Sequence, residues 1–406
     1  MPEISLPLIS RFLGLMLLAW QPFFSGPRLP SLLLCCIGLW LLARRQVDFS
    51  RGGEQRLGLA FVLLLVPVLI SLPGSFDLKG SLLVVLGLSI FFCVGLALLA
   101  GLRRPQDLAW LNRWLLVVVL AWVLDGFVQL ALGVDLLGHP ILADGRILGP
   151  FQDNLRLGLF VTLLMPLVLW DLTRRRPLLS LLLILAIGVI AALSGARTNL
   201  YFLLLGLALL LPLFSWRYRL SLALGLVLVL LAGFALSPVM NERMDRFTAM
   251  AQGSEQGLFQ RLDHVLSGRM SIWNTGLRMA RQRPLTGVGA GAFEEAYPHF
   301  APEDDLFLKH RPYHAHNMYV SVLAESGLPG LLALLLLAGL ILRWMLQAPP
   351  VARARAAPYA ASLAVIAFPV SSQPVLFSMW WFPLPLLLLT GLLAALQQGK
   401  ESPGPA

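Results

Sequence analysis

Long apolar stretches separated by short polar ones set the rhythm of this chain. The apolar runs fall near 4–24, 29–43, 56–72, 79–101, 110–133, 154–171, 177–193, 198–214, 218–237, 316–346, 355–372 and 375–396. A helix rises 1.5 Å per residue and the hydrocarbon of a bilayer is about 30 Å thick, so about 20 apolar residues make one crossing. The pattern predicts an all-α polytopic membrane protein of about twelve transmembrane helices. Residues 1–153 hold helices one to five, 154–237 helices six to nine, 238–315 one large loop, 316–396 helices ten to twelve, and 397–406 a polar tail.

Composition agrees. Hydrophobic residues make up 58% of the chain and charged residues 13%, against about 25% charge in soluble domains. The net charge of +10 would suit nucleic acid only if the basic residues shared a face. They instead form short clusters in alternate loops: Arg44, Arg45, Arg51 and Arg56; Arg103, Arg104 and Arg113; Arg174, Arg175 and Arg176; Arg217 and Arg219; Arg343, Arg353 and Arg355. The positive-inside rule puts those loops, and both termini with them, in the cytoplasm and leaves no nucleic-acid partner. Cys35, Cys36 and Cys93 lie inside apolar runs, without a disulfide framework or metal-ligand spacing. The first run lacks a basic leader and a small-residue cleavage site, so it reads as helix one.

Strict alternation assigns segments 71–79, 133–154, 194–198, 237–315 and 371–374 to the opposite side. Within the long segment, Met270, Trp273, Leu277 and Ala280 recur at helical spacing between Arg269 and Arg281. They predict an amphipathic helix lying against the membrane face.

Candidate chemistry sits on that side. Arg197, in Leu-Ser-Gly-Ala-Arg-Thr-Asn, places a permanent cation at membrane depth against the charge trend, where it serves a functional path or snorkels to a lipid phosphate. Arg269 opens the amphipathic helix, whose N-terminal N–H groups suit a phosphate; the plain alternative is a surface arginine. In Arg311-Pro-Tyr-His-Ala-His-Asn-Met-Tyr, His314 and His316 stand at the mouth of a long apolar helix with Arg311, Tyr313 and Asn317 around them. An imidazole there can act as a general base. His-x-His is also half of a zinc site, which Asp304 or Asp305 would have to fold back to complete. Gly287-Val-Gly-Ala-Gly-Ala-Phe follows no strand, so it reads as a tight turn near a ligand or helix rather than a dinucleotide loop. Arg146, Gln152, Asp153, Asn154 and Arg156 in the shorter loop either line the same cavity or cap helix six.

Four segments in register resemble the O-antigen ligase and polymerase superfamily: Ser-Gly-Ala-Arg-Thr at 194–198, Gly-Arg-Met-Ser-Ile-Trp at 268–273, Arg-Pro-Leu-Thr-Gly-Val-Gly-Ala-Gly-Ala-Phe at 283–293 and His-Ala-His-Asn-Met-Tyr at 314–319. The resemblance covers roughly residues 150 to 345. It implies a GT-C-like glycosyltransferase of the bacterial inner membrane, with its large loop and active site facing the periplasm. It also implies that a glycan passes from undecaprenyl diphosphate to lipid A–core in lipopolysaccharide biosynthesis, by a metal-independent, cofactor-free, inverting transfer. Carried over by position, Arg197 and Arg269 would bind the diphosphate and His316 would be the base. His314 and Asn317 share that motif. O-antigen polymerases and protein O-oligosaccharyltransferases of the same superfamily are enzymatic rivals that differ in acceptor. A transporter of lipid-linked glycan is the non-enzymatic one, for which paired inverted repeats are expected and none is visible.

Overall fold

The computed structural model describes residues 5–23, 26–50, 52–152, 155–195, 197–236, 268–369 and 373–398. Asp153, Asn154, the first part of the long loop and the end of the tail lie outside the described residues. The described chain is helical: α1 Leu6–Ala19, α2 Arg28–Ala43, α3 Gly52–Ser71, α4 Leu78–Gly101, α5 Pro105–Leu132, α6 Leu157–Arg175, α7 Pro177–Leu193, α8 Arg197–Leu210, α9 Trp216–Leu236, α10 Arg269–Gln282, α11 Phe293–Phe300, α12 Met318–Gln347, α13 Pro350–Ile366 and α14 Pro383–Gln397. No strand occurs among the described residues, where a single bridge pairs Val134 with Pro140. Among them α3, α4, α5, α6 and α12 are long and apolar enough to cross a bilayer, and α1, α2, α7, α8 and α14 are shorter apolar helices. The chain is a membrane protein.

Which helices sit inside follows from how many faces are apolar and covered. α14 buries every residue from Leu386 to Leu396 and packs on α13, α3 and α4, while α6 buries all from Leu157 to Leu169 against α5, α7, α8 and α13. Helices covered all round form the core of a bundle. By contrast, α12 exposes Leu332, Leu335, Leu336, Leu342 and Leu346, which gives lipid an apolar stripe.

Loops gather at two ends. At one, Gln397 Oε1 accepts from Gly53 N (3.2 Å), Gln398 Nε2 donates to the Leu102 carbonyl (2.9 Å), and Arg56 lies over Trp344. This is where the arginine clusters of the α2–α3 and α4–α5 loops meet. At the other, Arg283 donates to the Gly74 carbonyl (2.8 Å), Phe76 N to the Val288 carbonyl (2.9 Å) and Ser81 Oγ to the Ala290 carbonyl (2.8 Å). A cap formed by α10, α11 and their connections closes this second end, with its own small core of Ile272, Met279, Phe293, Tyr297, Phe300 and Ala315.

Three expectations need correcting. The buried stripe of α10 is Ile272, Thr275, Gly276, Met279 and Ala280, one position off the pattern read along the sequence, and Leu277 is exposed. The helix packs on the first turns of α12 and on α11, so its inner face is set by Val320, Ala324 and Phe293. Second, the run 316–346 is two helical pieces, because Gly327 adopts φ 66° and ψ −166°. Third, the last run splits: residues 373–382 are turns, and α14 begins only at Pro383.

The break in α12 is braced. Val288 N donates to the Ala324 carbonyl (2.9 Å), Gly289 N to the Glu325 carbonyl (3.0 Å), and Leu328 N to the Pro284 carbonyl (2.7 Å). A Cβ at Gly327 would lie 2.6 Å from the Pro284 oxygen, in a backbone region that side chains other than hydrogen avoid. Gly327→Ala is therefore expected to destabilise the detergent-solubilised protein by about 1–3 kcal/mol or more. Gly339→Ala, in open space on the same helix, is expected to be neutral or stabilising. Thermal unfolding of the two variants checks this.

Candidate active site

His314, Ala315 and His316 form a tight turn immediately before α12. The two imidazoles lie 4.3 Å apart between centroids, tilted by 50°. Ala315 between them is fully buried in the same small core as Ile272 of α10, and its N–H donates to Ser321 Oγ (3.1 Å) one turn into α12. His316 takes φ 50°, one of three non-glycine residues with positive φ among those described. Histidine tolerates this conformation better than most residues, but it still costs energy, and such strain concentrates where a side chain must be aimed.

Asn317 fixes the turn to two elements. Its Oδ1 caps α12 by accepting from Tyr319 N (3.0 Å) and Val320 N (3.2 Å), and its Nδ2 donates to the Pro369 carbonyl (3.0 Å) beyond α13. Tyr319 Oη adds a second tie, to the Ala367 carbonyl (2.6 Å). Asn317 thus acts on the site through the backbone.

His314 and the exposed ring of Tyr313 line a cavity of about 240 Å³ that also takes in Ser321, Glu325, Gln373 and Ser378. Glu325 is 3% exposed and accepts a short hydrogen bond from Gly291 N, so the glycine-rich turn and the carboxylate hold each other at the cavity wall. Leu376 and Phe377 form the far wall. The same two residues bound a largely apolar chamber of about 210 Å³ that runs along α4 past Gly87 and Phe91.

The arginines take distinct places at this end. Arg269 is the first residue of α10, half-buried, and Phe307 packs on the Gly268 that precedes it. Arg197 is the first residue of α8, after the Ser194–Gly195 turn. The aliphatic part of Arg146 packs against Gly195, and its guanidinium pairs with Asp144 (2.5 Å). That hydrogen bond holds the Asp144 carboxyl below its ordinary value. Arg156 lies 3.8 Å from the ring centre of Trp380 and 5.9 Å from that of Trp381, and burial there pushes its pKa down. Arginine nonetheless stays charged in proteins. Trp380 and Trp381 follow Ser378 after one residue, Met379, so one short segment touches both the histidine cavity and Arg156. Arg311 is placed elsewhere: it pairs with Glu295 (3.3 Å) on the cap surface, both side chains well exposed.

Asp305 accepts from Tyr297 Oη (3.2 Å) and Phe307 N (2.8 Å) within the cap, so its carboxylate serves the cap rather than folding back on the histidines. Among the described residues no group of three His, Cys, Asp or Glu side chains stands ready for one metal ion. Glu325, Gln373 and Ser378 were not anticipated as site residues. A buried glutamate within an apolar run is a legible signal, whereas Gln373 and Ser378 reach the cavity only because 373–382 is not helical.

Residues 180–335 match the family model described as O-antigen ligase, which supports placing the chain in the O-antigen ligase and polymerase superfamily. The matched stretch runs from α7 into α12 and contains Arg197, Arg269, Arg311, Tyr313, His314, His316, Asn317 and Glu325; Arg146, Arg156 and 373–378 fall outside it. No curated protein matches the sequence.

Asn317→Ala removes the cap and the tie to Pro369 together. A cap of this kind is worth about 0.5–2 kcal/mol. The variant is expected to lower the unfolding temperature, and Asn317→Asp, which keeps the cap but loses the donor to the Pro369 carbonyl, to recover part of that loss. Thermal melting of both variants checks this.

Proposed function

Proceeding from the O-antigen ligase match over residues 180–335, we propose that this protein is an O-antigen ligase. It takes O-antigen glycan from undecaprenyl diphosphate and joins it to lipid A–core at the periplasmic face of the inner membrane. The observation that carries the reading is the paired imidazole turn at the head of α12, beside a cavity that carries several polar side chains and at the same end of the bundle as Arg269 and the start of α8.

The chemistry suits those residues. Inverting transfer breaks the bond between the sugar C1 and the diphosphate oxygen as an acceptor hydroxyl attacks C1 from the opposite face. Neutral His316 takes the hydroxyl proton, an effect typically worth about 10²–10⁴-fold. The diphosphate leaves with added negative charge. Arg197 and Arg269, each the first residue of a helix, would meet it with a guanidinium and the donor-rich end of the helix together. Arg156 and Arg146 would steer or hold the carrier's phosphates. The strain at His316 and the tether through Asn317 support an imidazole held in place before substrate arrives.

The cytoplasm is assigned to the arginine-rich end of the bundle and the periplasm to the capped end, with about twelve crossings and both termini cytoplasmic. A transporter is disfavoured because the candidate residues gather at one end rather than around a midplane site. Separation from a polymerase or a protein O-oligosaccharyltransferase rests on the acceptor.

Arg197→Ala, Arg269→Ala and His316→Ala are each expected to cut glycan transfer at least about 100-fold while the protein still reaches the membrane. Purified protein given lipid-linked glycan and lipid A–core provides the assay, and wild-type rates from His316→Ala would remove it from the base role. Treatment with a chelator is expected to leave the rate unchanged; inhibition reversed by Zn²⁺ or Mn²⁺ would put a metal in the mechanism instead. Product formed on carrier-linked glycan, and none on lipid A–core, would make the protein a polymerase.

A further inference from the structure

The cavity beside His314 is built unlike a phosphate site. Its polar groups are a carboxyl, a carboxamide, two hydroxyls, an imidazole and a phenol, from Glu325, Gln373, Ser321, Ser378, His314 and Tyr313, and among the described residues no arginine or lysine lines it. Its volume of about 240 Å³ falls below the roughly 300–1,000 Å³ of pockets that hold drug-sized ligands and is of the size to seat a sugar ring. Planar acceptors and hydroxyls together with aromatic lining residues, here Tyr313 and Phe377, suit a ring bearing several hydroxyls and C–H faces.

Glu325 is the informative member. A carboxyl that is 3% exposed is costly unless its oxygens are satisfied, and one bond, from Gly291 N, is supplied from within. No cation among the described residues forms an ion pair with it. Sugar hydroxyls are donors suited to the remaining acceptor capacity.

We propose that this cavity is the acceptor-sugar subsite and that Glu325, with Gln373, is a specificity-determining residue that holds the ring whose hydroxyl is glycosylated. The proposal rests on the glycosyltransferase reading above and adds to it the seat and the residues that choose the acceptor. Placement favours the acceptor over the donor. His314 lines the cavity with its ring 4.3 Å from that of His316, the proposed base, so the hydroxyl to be deprotonated approaches from this side. Arg269, expected on the donor diphosphate, is not among the described residues that line it.

The test is steady-state transfer by full-length protein, with lipid A–core varied at saturating undecaprenyl diphosphate-linked glycan and then the reverse. Glu325→Gln keeps the shape of the side chain and an oxygen for Gly291 N. The expected result is a tenfold or greater rise in the acceptor KM with the donor KM within twofold of wild type; Gln373→Ala should raise the acceptor KM about threefold and add to the first effect. If Glu325 only braces the glycine turn, Glu325→Gln leaves both KM values unchanged while Glu325→Ala lowers the melting temperature, and the proposal is overturned. An equal loss for donor and acceptor, or a rise in the donor KM alone, overturns it too. Wild-type protein that uses carrier-linked glycan instead of lipid A–core would sink the ligase reading only, and the same variants are then read against that acceptor. Wild-type protein that glycosylates no acceptor overturns both.

Discussion

A bilayer offers no water to satisfy an open backbone, so a helix that breaks near the membrane must find its missing partners in protein. The break at Gly327 is possible because the turn 284–289 supplies them: the Pro284 carbonyl for Leu328 N, and Val288 N and Gly289 N for the carbonyls of Ala324 and Glu325. Much else at this end depends on that clasp. It fixes the height of the glycine turn, through Phe76 N and Ser81 Oγ it ties the turn to the α3–α4 connection, and through Gly291 N it holds the Glu325 carboxyl. The first turns of α12, which carry Ser321 and Glu325, are thereby positioned from below.

From above they are positioned by the cap. α10 lies on Val320 and Ala324, and Ala315 closes the cap core, so the turn bearing His314 and His316 is pinned between two packed layers. Asn317 then joins that turn to Pro369, on the way into the 373–382 segment. Positive φ at His316 is affordable in such a setting because capping, burial of Ala315 and the two tethers all specify the same local backbone. Backbone ties therefore contribute to the preorganisation of this turn.

Periodicity made the apolar helices legible, because a run of apolar residues long enough to cross lipid has few other uses. The four motif segments made Arg197, Arg269 and the histidine turn legible as candidates before any coordinates. What the sequence hid were places where local preference lost to context. Nothing in Glu325-Ser-Gly-Leu-Pro-Gly announces a break rather than a tolerated proline, since glycine and proline occur freely in membrane helices. The stripe of α10 slipped by one position because Val320, Ala324 and Phe293, distant in sequence, decide which residues are covered. Arg311 stands three residues before His314 in sequence yet pairs with Glu295 on the surface, a choice made by the path of the cap.

The least readable stretch, 373–382, does the most joining. Read as part of a helix, it would have put Ser378 and Trp381 on nearly the same face, three residues apart. As turns it sends them different ways. Ser378 and Phe377 face the histidine cavity, while Trp380 takes the Arg156 guanidinium on its face and Trp381 stacks on Phe160 at 5.3 Å. A cation on an indole keeps its charge without needing a carboxylate, and no described carboxylate pairs with Arg156. Gly291, Leu376, Phe377 and Ser378 meanwhile line both the His314 cavity and the apolar chamber along α4. A reaction between two lipid-borne glycans needs a polar place for sugar, a cationic place for phosphate and apolar surface for tails, each kept apart from the others. On the proposed reading, the non-helical segment 373–382 would border all three, since it lines the His314 cavity and the chamber along α4 and carries Trp380 under the Arg156 guanidinium.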